Sequence, residues 1–186
     1  MMKFKSVLLL LFVNLVMLTS CKKEDPVIPN EEEVITNVNY TLTPDGGGIP
    51  VVLSFQDLDG DGGMLPTITG GNLTTNTSYK GVLELFNEQA TPIENVNPEI
   101  LAEAEDHQFF FQTSVSGLTV AYDDQDANNN PLGLKTTLTT TDAGSGTITI
   151  TLRHEPNKSA SGVAGGDISN AGGETDIEVS FAIDVQ

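Results

Sequence analysis

The sequence predicts an all-β fold, an antiparallel β-sandwich of immunoglobulin-like character with about eight strands and one short helix. Past residue 34, apolar and polar residues alternate with a period of two in short runs. Segments rich in Gly, Asn, Asp and Pro separate these runs, as in antiparallel sheets joined by turns. An eight-stranded β-barrel would show the same strand spacing and is the alternative.

The predicted strands differ in how strongly they alternate. They cover residues 34–43, 51–56, 79–86, 108–115, 118–122, 134–140, 147–152 and 177–185. The run at 147–152 alternates threonine with isoleucine or leucine, which indicates one buried face. The consecutive phenylalanines at 109–111 instead predict a strand that is covered on both faces.

One segment, between the third and fourth predicted strands, has helical character. Asn97 is a candidate N-cap and Pro98 stands at the first helical position. Strong helix formers follow as far as Glu105, so the pattern predicts a short acidic helix over 97–105.

The first residues predict export and lipid anchoring. An apolar run over residues 7–18 follows two lysines and is too short to span a bilayer, which needs about 20 residues, but it fits a signal-peptide core. The next stretch, Leu18-Thr19-Ser20-Cys21, resembles the lipobox of bacterial lipoproteins. This resemblance implies cleavage before Cys21 and lipid on its thiol, which anchors the protein to a membrane. An ordinary secretory signal is the alternative.

These features divide the chain into three predicted parts. Residues 1–20 are the lipoprotein signal peptide, residues 21–33 are the lipidated Cys21 with a flexible tether, and residues 34–186 are a single β domain. The tether begins Lys22-Lys23-Glu24-Asp25, which resembles the surface-export signal of Bacteroidetes lipoproteins. Lys22 also differs from the aspartate that retains enterobacterial lipoproteins at the inner membrane. The resemblance implies an outer-membrane address in the cell envelope and leaves open which side the domain faces.

Charge and the absence of catalytic motifs limit the function. With 26 acidic and 8 basic residues the formal net charge is −18, which excludes nucleic acid as a partner and suits the binding of cations. No nucleophile elbow or dinucleotide-binding fingerprint occurs, so we predict a protein that is not an enzyme. A carboxylate-dependent glycan hydrolase stays an alternative, because two of the many acidic residues could form a catalytic pair.

Two acidic loops are candidate Ca²⁺ sites. Asp57, Asp59 and Asp61 alternate in a D-x-D-x-D-G pattern that matches the opening of a calcium loop. The twelfth position is Ile68, where an EF-hand has glutamate, so any calcium loop here belongs to a β-scaffold. A plain surface turn explains the same residues.

The second acidic loop repeats this spacing after another predicted strand. Asp124, Asp126 and Asn128 offer alternate oxygens to a cation. A hairpin loop is the alternative, because asparagine tolerates a left-handed turn.

The two histidines and a small basic cluster are further candidates. His107 follows three acidic residues, and a histidine beside carboxylates can bind a transition metal. Arg153, His154, Glu155 and Lys158 form the basic cluster of the acidic domain, which could pair with the acidic loops or hold an anionic group. A solvated or hydrogen-bonded histidine is the alternative at each position.

Three stretches, residues 55–63, 107–111 and 152–158, resemble a family of short Bacteroidetes lipoproteins. The resemblance covers nearly the whole chain after the signal peptide and implies a cell-envelope address, with no activity at particular residues. Members are sometimes labelled as having a type 1 periplasmic binding fold, which implies two α/β lobes, whereas the strand pattern predicts a sandwich.

The leading functional hypothesis is a non-enzymatic binding or accessory module. Lipid on Cys21 would hold it at the outer membrane, Ca²⁺ would stabilise it, and an uptake receptor would be its partner by analogy. The alternatives are the glycan hydrolase and a lipoprotein that captures a transition metal through His107 and His154.

Overall fold

A computed structural model describes residues 33–60 and 63–186. The predicted signal peptide, Cys21 and the tether as far as residue 32 lie outside the described residues. The first six strands are β1 (Asn37–Pro44), β2 (Val51–Gln56), β3 (Thr67–Thr69), β4 (Gly71–Leu73), β5 (Ser78–Asn87) and β6 (Glu94–Asn95). After the helix α1 (Asn97–Ala102) come β7 (His107–Thr113), β8 (Leu118–Tyr122), β9 (Lys135–Thr140), β10 (Gly144–His154) and β11 (Glu174–Val185).

The strands form two sheets. The larger has the order β3-β2-β1-β5-β9-β8, with β6 paired to β5, and the smaller has the order β4-β11-β10-β7. All neighbours are antiparallel except β4 and β11, which are parallel. The predicted all-β sandwich is confirmed, and the described strands form two open sheets in place of the alternative closed barrel.

The core lies between the inner faces of the two sheets. On β1, Val38, Tyr40 and Leu42 are buried, as period-two alternation requires. Phe109 of β7 and Phe181 of β11 belong to the same hydrophobic cluster from the smaller sheet. Each such side chain contributes about 1.5–3 kcal/mol when it is fully buried. Burial of these apolar side chains is therefore the main interaction that holds the two sheets together.

Each of the eight predicted strands corresponds to a strand of the structure. The strands that the sequence pattern missed are β3, β4 and β6, which have only two or three residues each. Runs this short contain no measurable alternation, so they become strands only through pairing with a longer neighbour.

Strand β7 is covered on both faces, as its phenylalanines predict. Phe109 points into the sandwich core, whereas Phe110 packs against Val163 and Ala171 in a second cluster. Two short 3₁₀ turns, Val163–Gly165 and Ile168–Asn170, form part of this second cover.

The predicted helix is present but begins differently. Val96, not Asn97, is the N-cap residue, and it makes no side-chain capping hydrogen bond. The Asn97 Oδ1 accepts a 2.8 Å hydrogen bond from the Leu85 N–H, and its Nδ2 donates one of 2.8 Å to the Leu83 carbonyl. The prediction of Asn97 as a cap was wrong because its amide pairs with the backbone of β5. Among the described residues, no helix has the length and apolar character needed to cross a membrane.

Candidate metal centre

Four side chains converge at one end of the smaller sheet. Glu33, His107, His154 and Asp176 each offer one ligand atom, and these atoms all lie within 4.8 Å of one another. Within residues 33–60 and 63–186, this is the one group of three or more His, Cys, Asp or Glu residues close enough to hold a metal ion. We refer to these four residues as the metal centre.

Strand pairing brings the two histidines together. His107 is the first residue of β7 and His154 is the last residue of β10, and the two are direct partners in the antiparallel ladder. Each lies on the inward face of its strand, two residues from Phe109 and Leu152, which are both buried in the core. Their rings meet edge to face, with centroids 4.5 Å apart.

A β-bulge brings Asp176 to the same point. Leu152 pairs with Ile177 while Arg153 pairs with Thr175, so Asp176 is the extra residue on β11. Ile177 packs against the core, and regular alternation would therefore turn Asp176 away from it. Bulges re-aim side chains in this way, and the Asp176 side chain is fully buried.

Glu33 enters from the segment that leads into β1. Its carboxylate oxygen Oε1 lies 2.7 Å from the His107 Nε2, and Oε2 lies 3.7 Å from the His154 Nδ1. Although the sequence placed this residue at the end of a tether, only 4% of its side chain is exposed. The segment therefore contributes a buried carboxylate to the domain.

The distances between these atoms suit tetrahedral coordination. The His107 Nε2 lies 3.8 Å from the Asp176 Oδ2, and the His154 Nδ1 lies 3.6 Å from the Asp176 Oδ1. A tetrahedral Zn²⁺ site with ligands at about 2.1 Å has ligand atoms about 3.4 Å apart. The Glu33 Oε1 is closer than this to His107, at 2.7 Å, and the four ligand atoms lie within 4.8 Å of one another, so side-chain adjustment would bring them around an ion of this size.

A backbone carbonyl orients the His107 ring. The His107 Nδ1 lies 3.1 Å from the Glu103 carbonyl oxygen, just after α1. Because a carbonyl only accepts, Nδ1 carries a hydrogen, and Nε2 faces the centre, where it either carries a proton toward Glu33 or offers a lone pair to a metal. Metal-binding histidines are commonly held by such an outer contact.

Two buried atoms of the centre lack a well-aligned hydrogen bond. They are the His107 Nε2 and the Glu33 Oε2, neither of which has such a partner among the described residues. The contact of His107 with the Glu33 Oε1 is therefore close but poorly directed. A cation bound by both side chains would satisfy these two atoms.

The buried charges of the centre need to be balanced. Burial raises the pKa of Glu33, but the hydrogen bond and charge of His107, a backbone hydrogen bond and the charge of His154 together outweigh this effect and lower that pKa overall. Burial likewise lowers the pKa of His107, but Glu33, the Glu103 carbonyl and Asp176 outweigh it and raise that pKa above its ordinary value. Two buried carboxylates can be neutralised by two imidazolium rings or by one divalent cation beside two neutral rings.

The mixture of ligands indicates which metals fit. Two imidazole nitrogens and two carboxylate oxygens suit Zn²⁺ and neighbouring first-row transition metals. Ca²⁺ and Mg²⁺ prefer a shell made of oxygen atoms alone. The donor set therefore favours a transition metal.

The described carboxylates of the first acidic loop, Asp57 and Asp59, are not among these ligands. The Asp57 Oδ1 accepts hydrogen bonds from the N–H groups of Asp59 and Gly60, at 3.4 and 3.0 Å. The Asp59 Oδ2 accepts one of 2.8 Å from the Met64 N–H, and Asp61 lies outside the described residues. These bonds are those of an Asx-type turn, and calcium at this loop stays a prediction.

The carboxylates of the second acidic loop bind neighbouring groups of the protein. Asp124 accepts hydrogen bonds from the N–H groups of Gly133 and Lys135, at 2.6 and 2.9 Å. Asp126 Oδ1 accepts from the Asn128 N–H at 2.8 Å, and Oδ2 lies 3.0 Å from the Lys158 Nζ. Calcium at this loop also stays a prediction.

The predicted basic cluster separates in the structure. His154 reaches the metal centre, while Lys158 pairs with Asp126. The Arg153 Nη1 donates a 3.4 Å hydrogen bond to the Gly173 carbonyl, and Glu155 is exposed in a left-handed turn at φ 48°. Anion binding by this cluster stays a prediction.

Comparison with known proteins leaves the family open. No known family matches the chain, and no curated protein matches it either. Among solved structures, the chain is similar to domains 4 and 5 of the S-layer protein SbsC, with 13% identity and a TM-score of 0.30 over 78% of this chain and 75% of that one. A TM-score this low carries no argument about fold or function.

Proposed function

We propose that this protein is a non-enzymatic metal-binding module that holds one divalent transition-metal ion, best matched by Zn²⁺. One observation carries the proposal: two imidazoles and two carboxylates converge within 4.8 Å in a buried site. Four protein ligands around one ion form a tetrahedral shell, which is the usual arrangement of structural zinc.

The enclosure of the centre supports binding over catalysis. The side chains of His107 and Asp176 have no exposed surface, and those of Glu33 and His154 are 4% and 7% exposed. Catalytic zinc keeps an open coordination position for water or substrate, whereas a structural ion is enclosed by protein ligands. The proposed role is therefore to hold the metal and to stabilise the domain.

The proposal includes an address in the cell envelope, which the lipobox resemblance at Cys21 supports. Lipid on Cys21 would hold the domain at the outer membrane, where an uptake receptor would be a partner by analogy alone. The large negative charge favours the local accumulation of cations around such a domain.

Calorimetric titration of the purified full chain in detergent tests the proposal. After treatment with a chelator, we expect one Zn²⁺ or Co²⁺ to bind per chain with micromolar or tighter affinity. His154→Ala should lose this binding, while a double Asp57→Ala, Asp59→Ala variant, changed only in the first acidic loop, should keep it. Absence of binding, or unchanged binding in His154→Ala, would contradict the proposal. Ca²⁺ titrated into the same proteins tests the acidic loop separately.

A further inference from the structure

We infer that Glu33 is the detachable ligand of the metal centre. The other three ligands, His107, His154 and Asp176, form a preformed set that retains the metal when Glu33 withdraws. This inference rests on the proposed function, because it requires that the centre binds metal. It assigns to the residues just before β1 the control of metal access.

Three of the ligands are held by one continuous ladder. His107 pairs with His154 between β7 and β10, and His154 pairs with Glu174 between β10 and β11. Asp176 follows two residues later, at the bulge. Moving the backbone at any of these three positions would disturb the pairing at the end of the smaller sheet, so we expect their backbone positions to persist without metal.

Glu33 belongs to a different part of the fold. It precedes β1, a strand of the larger sheet, and the first described backbone hydrogen bond of this segment is 3.0 Å from the Thr36 N–H to the Phe86 carbonyl. Val34, directly after Glu33, is 52% exposed, so the chain here runs along the surface. Withdrawal of Glu33 would therefore leave the strand pairing from Thr36 onward unchanged.

Burial makes such a movement necessary. The four ligand side chains are at most 7% exposed, so little open surface leads to their donor atoms. A metal site needs a path for the ion, and here one ligand must move aside to provide it. Glu33 can move at the lowest cost, since the other three are held by strand pairing.

Withdrawal of Glu33 changes what the metal can bind. With Glu33 in place, four protein ligands saturate a tetrahedral ion. Without it, two nitrogens and one carboxylate remain, and the fourth position is open to water or to a small anion. Metal binding and docking of the Glu33 side chain are then linked, because each stabilises the other.

Cobalt spectroscopy on the full chain in detergent tests this division of roles. In Glu33→Ala we expect Co²⁺ to remain bound, to transfer to a chelator about tenfold faster or more, and to change its visible absorption on addition of azide. The wild type should release Co²⁺ slowly and show no change with azide. Glu31→Ala, a change in the same acidic run, is the matched control and should behave like the wild type.

The outcomes separate this inference from the proposed function. If the wild type binds no Co²⁺, both fail. If the wild type binds Co²⁺ and Glu33→Ala releases it at the wild-type rate without an azide response, Glu33 is not a ligand and the inference alone is overturned. If Glu33→Ala folds, as judged by near-ultraviolet circular dichroism, but binds no Co²⁺, the claim that the other three ligands retain the metal is overturned.

A second measurement on the wild type does not depend on any variant. A glutamate-specific protease should cut after residues 31–33 more slowly when Zn²⁺ is present than when a chelator is present. Cleavage at equal rates in both conditions, with Zn²⁺ shown to be bound, would overturn the inference.

Discussion

His107 and His154 stand opposite each other at the end of the β7–β10 pair, with ring centroids 4.5 Å apart. Both rings face the carboxylates of Glu33 and Asp176. Two buried imidazoles beside two buried carboxylates are costly for a domain to maintain unless a cation or protons balance their charges. This balance determines how the protein should respond to metal, pH and substitution.

Metal should raise the stability of the domain. An ion that binds only the folded state adds about 2.7 kcal/mol when its free concentration is 100 times its dissociation constant. We expect the thermal midpoint to rise with Zn²⁺ and to fall after chelation, as measured by scanning calorimetry. His107→Ala is the control, and a rise of equal size in that variant would place the ion elsewhere.

In the metal-free protein, Glu33 and His107 should together contribute most to the free energy of unfolding in mildly acidic solution. The lowered pKa of Glu33 adds stability above its ordinary value of 4.5, and this is lost as pH falls through the folded pKa. The raised pKa of His107 adds stability below its ordinary value of 6.5, and this is lost as pH rises through the folded pKa. Both contributions are present together between these two ordinary values.

Urea unfolding in the presence of a chelator measures this effect. Between about pH 5.5 and pH 8.5 the free energy of unfolding should fall more in the wild type than in His107→Gln. The Zn²⁺-bound protein should show the opposite trend, because acid protonates the ligands and weakens metal binding. Equal slopes in the two metal-free proteins would show that His107 gains no proton affinity from Glu33.

Lys158→Met should destabilise the domain strongly. The Lys158 Nζ lies 3.0 Å from the Asp126 Oδ2 and donates a 2.6 Å hydrogen bond to the Ala104 carbonyl, and both side chains of the pair are buried. Removal of one partner of a buried ion pair costs about 3–5 kcal/mol. The double variant Lys158→Met, Asp126→Asn should recover part of this loss in urea unfolding, and full additivity would contradict the coupling.

Gly81→Ala should destabilise the sandwich by about 1–3 kcal/mol through overpacking. A Cβ atom at Gly81 would lie 2.6 Å from the Tyr40 hydroxyl and would also meet the Thr136 Oγ1. Those two hydroxyls share a buried 2.7 Å hydrogen bond. Gly144→Ala is the matched strand control, since nothing lies within 4 Å of its added Cβ, and equal losses in the two variants would exclude the steric cause.

Cys21→Ser should release the protein from membranes. The lipobox resemblance makes the Cys21 thiol the site of lipidation, and serine cannot accept the thioether-linked lipid. After cell fractionation we expect the wild type in the membrane fraction and the variant outside it. Mass spectrometry of the purified proteins should show acyl mass on the wild type alone, and a wild-type mass without acyl chains would contradict lipidation.

The strands could be predicted because their signal is local. Alternation at 147–152 and 177–185 reports one buried face without knowledge of the partner strand. The phenylalanines at 109–111 likewise indicated two covered faces, which the sandwich core and the second cluster provide. Asn97 misled the helix prediction because its amide binds β5, a contact with no local sequence signal.

The sequence predicted two of the four ligands of the metal centre. His107 and His154 were candidates as residue types, but nothing near either position shows that they are cross-strand partners. Glu33 looked like one of three solvated glutamates, and Asp176 preceded a regular strand without any sign of a bulge. A polar residue directly before an alternating run was the one available hint for Asp176.

The sequence by itself determined the class of fold and the positions of the long strands along the chain, and it predicts the lipid anchor, since each depends on residues close together in the chain. The tertiary structure alone decided the register of β7 on β10, the bulge at Asp176 and the burial of Glu33. Ligands from residue 33 to residue 176 can meet only after both sheets have formed. Their convergence is therefore a property of the packed sandwich and not of any one segment.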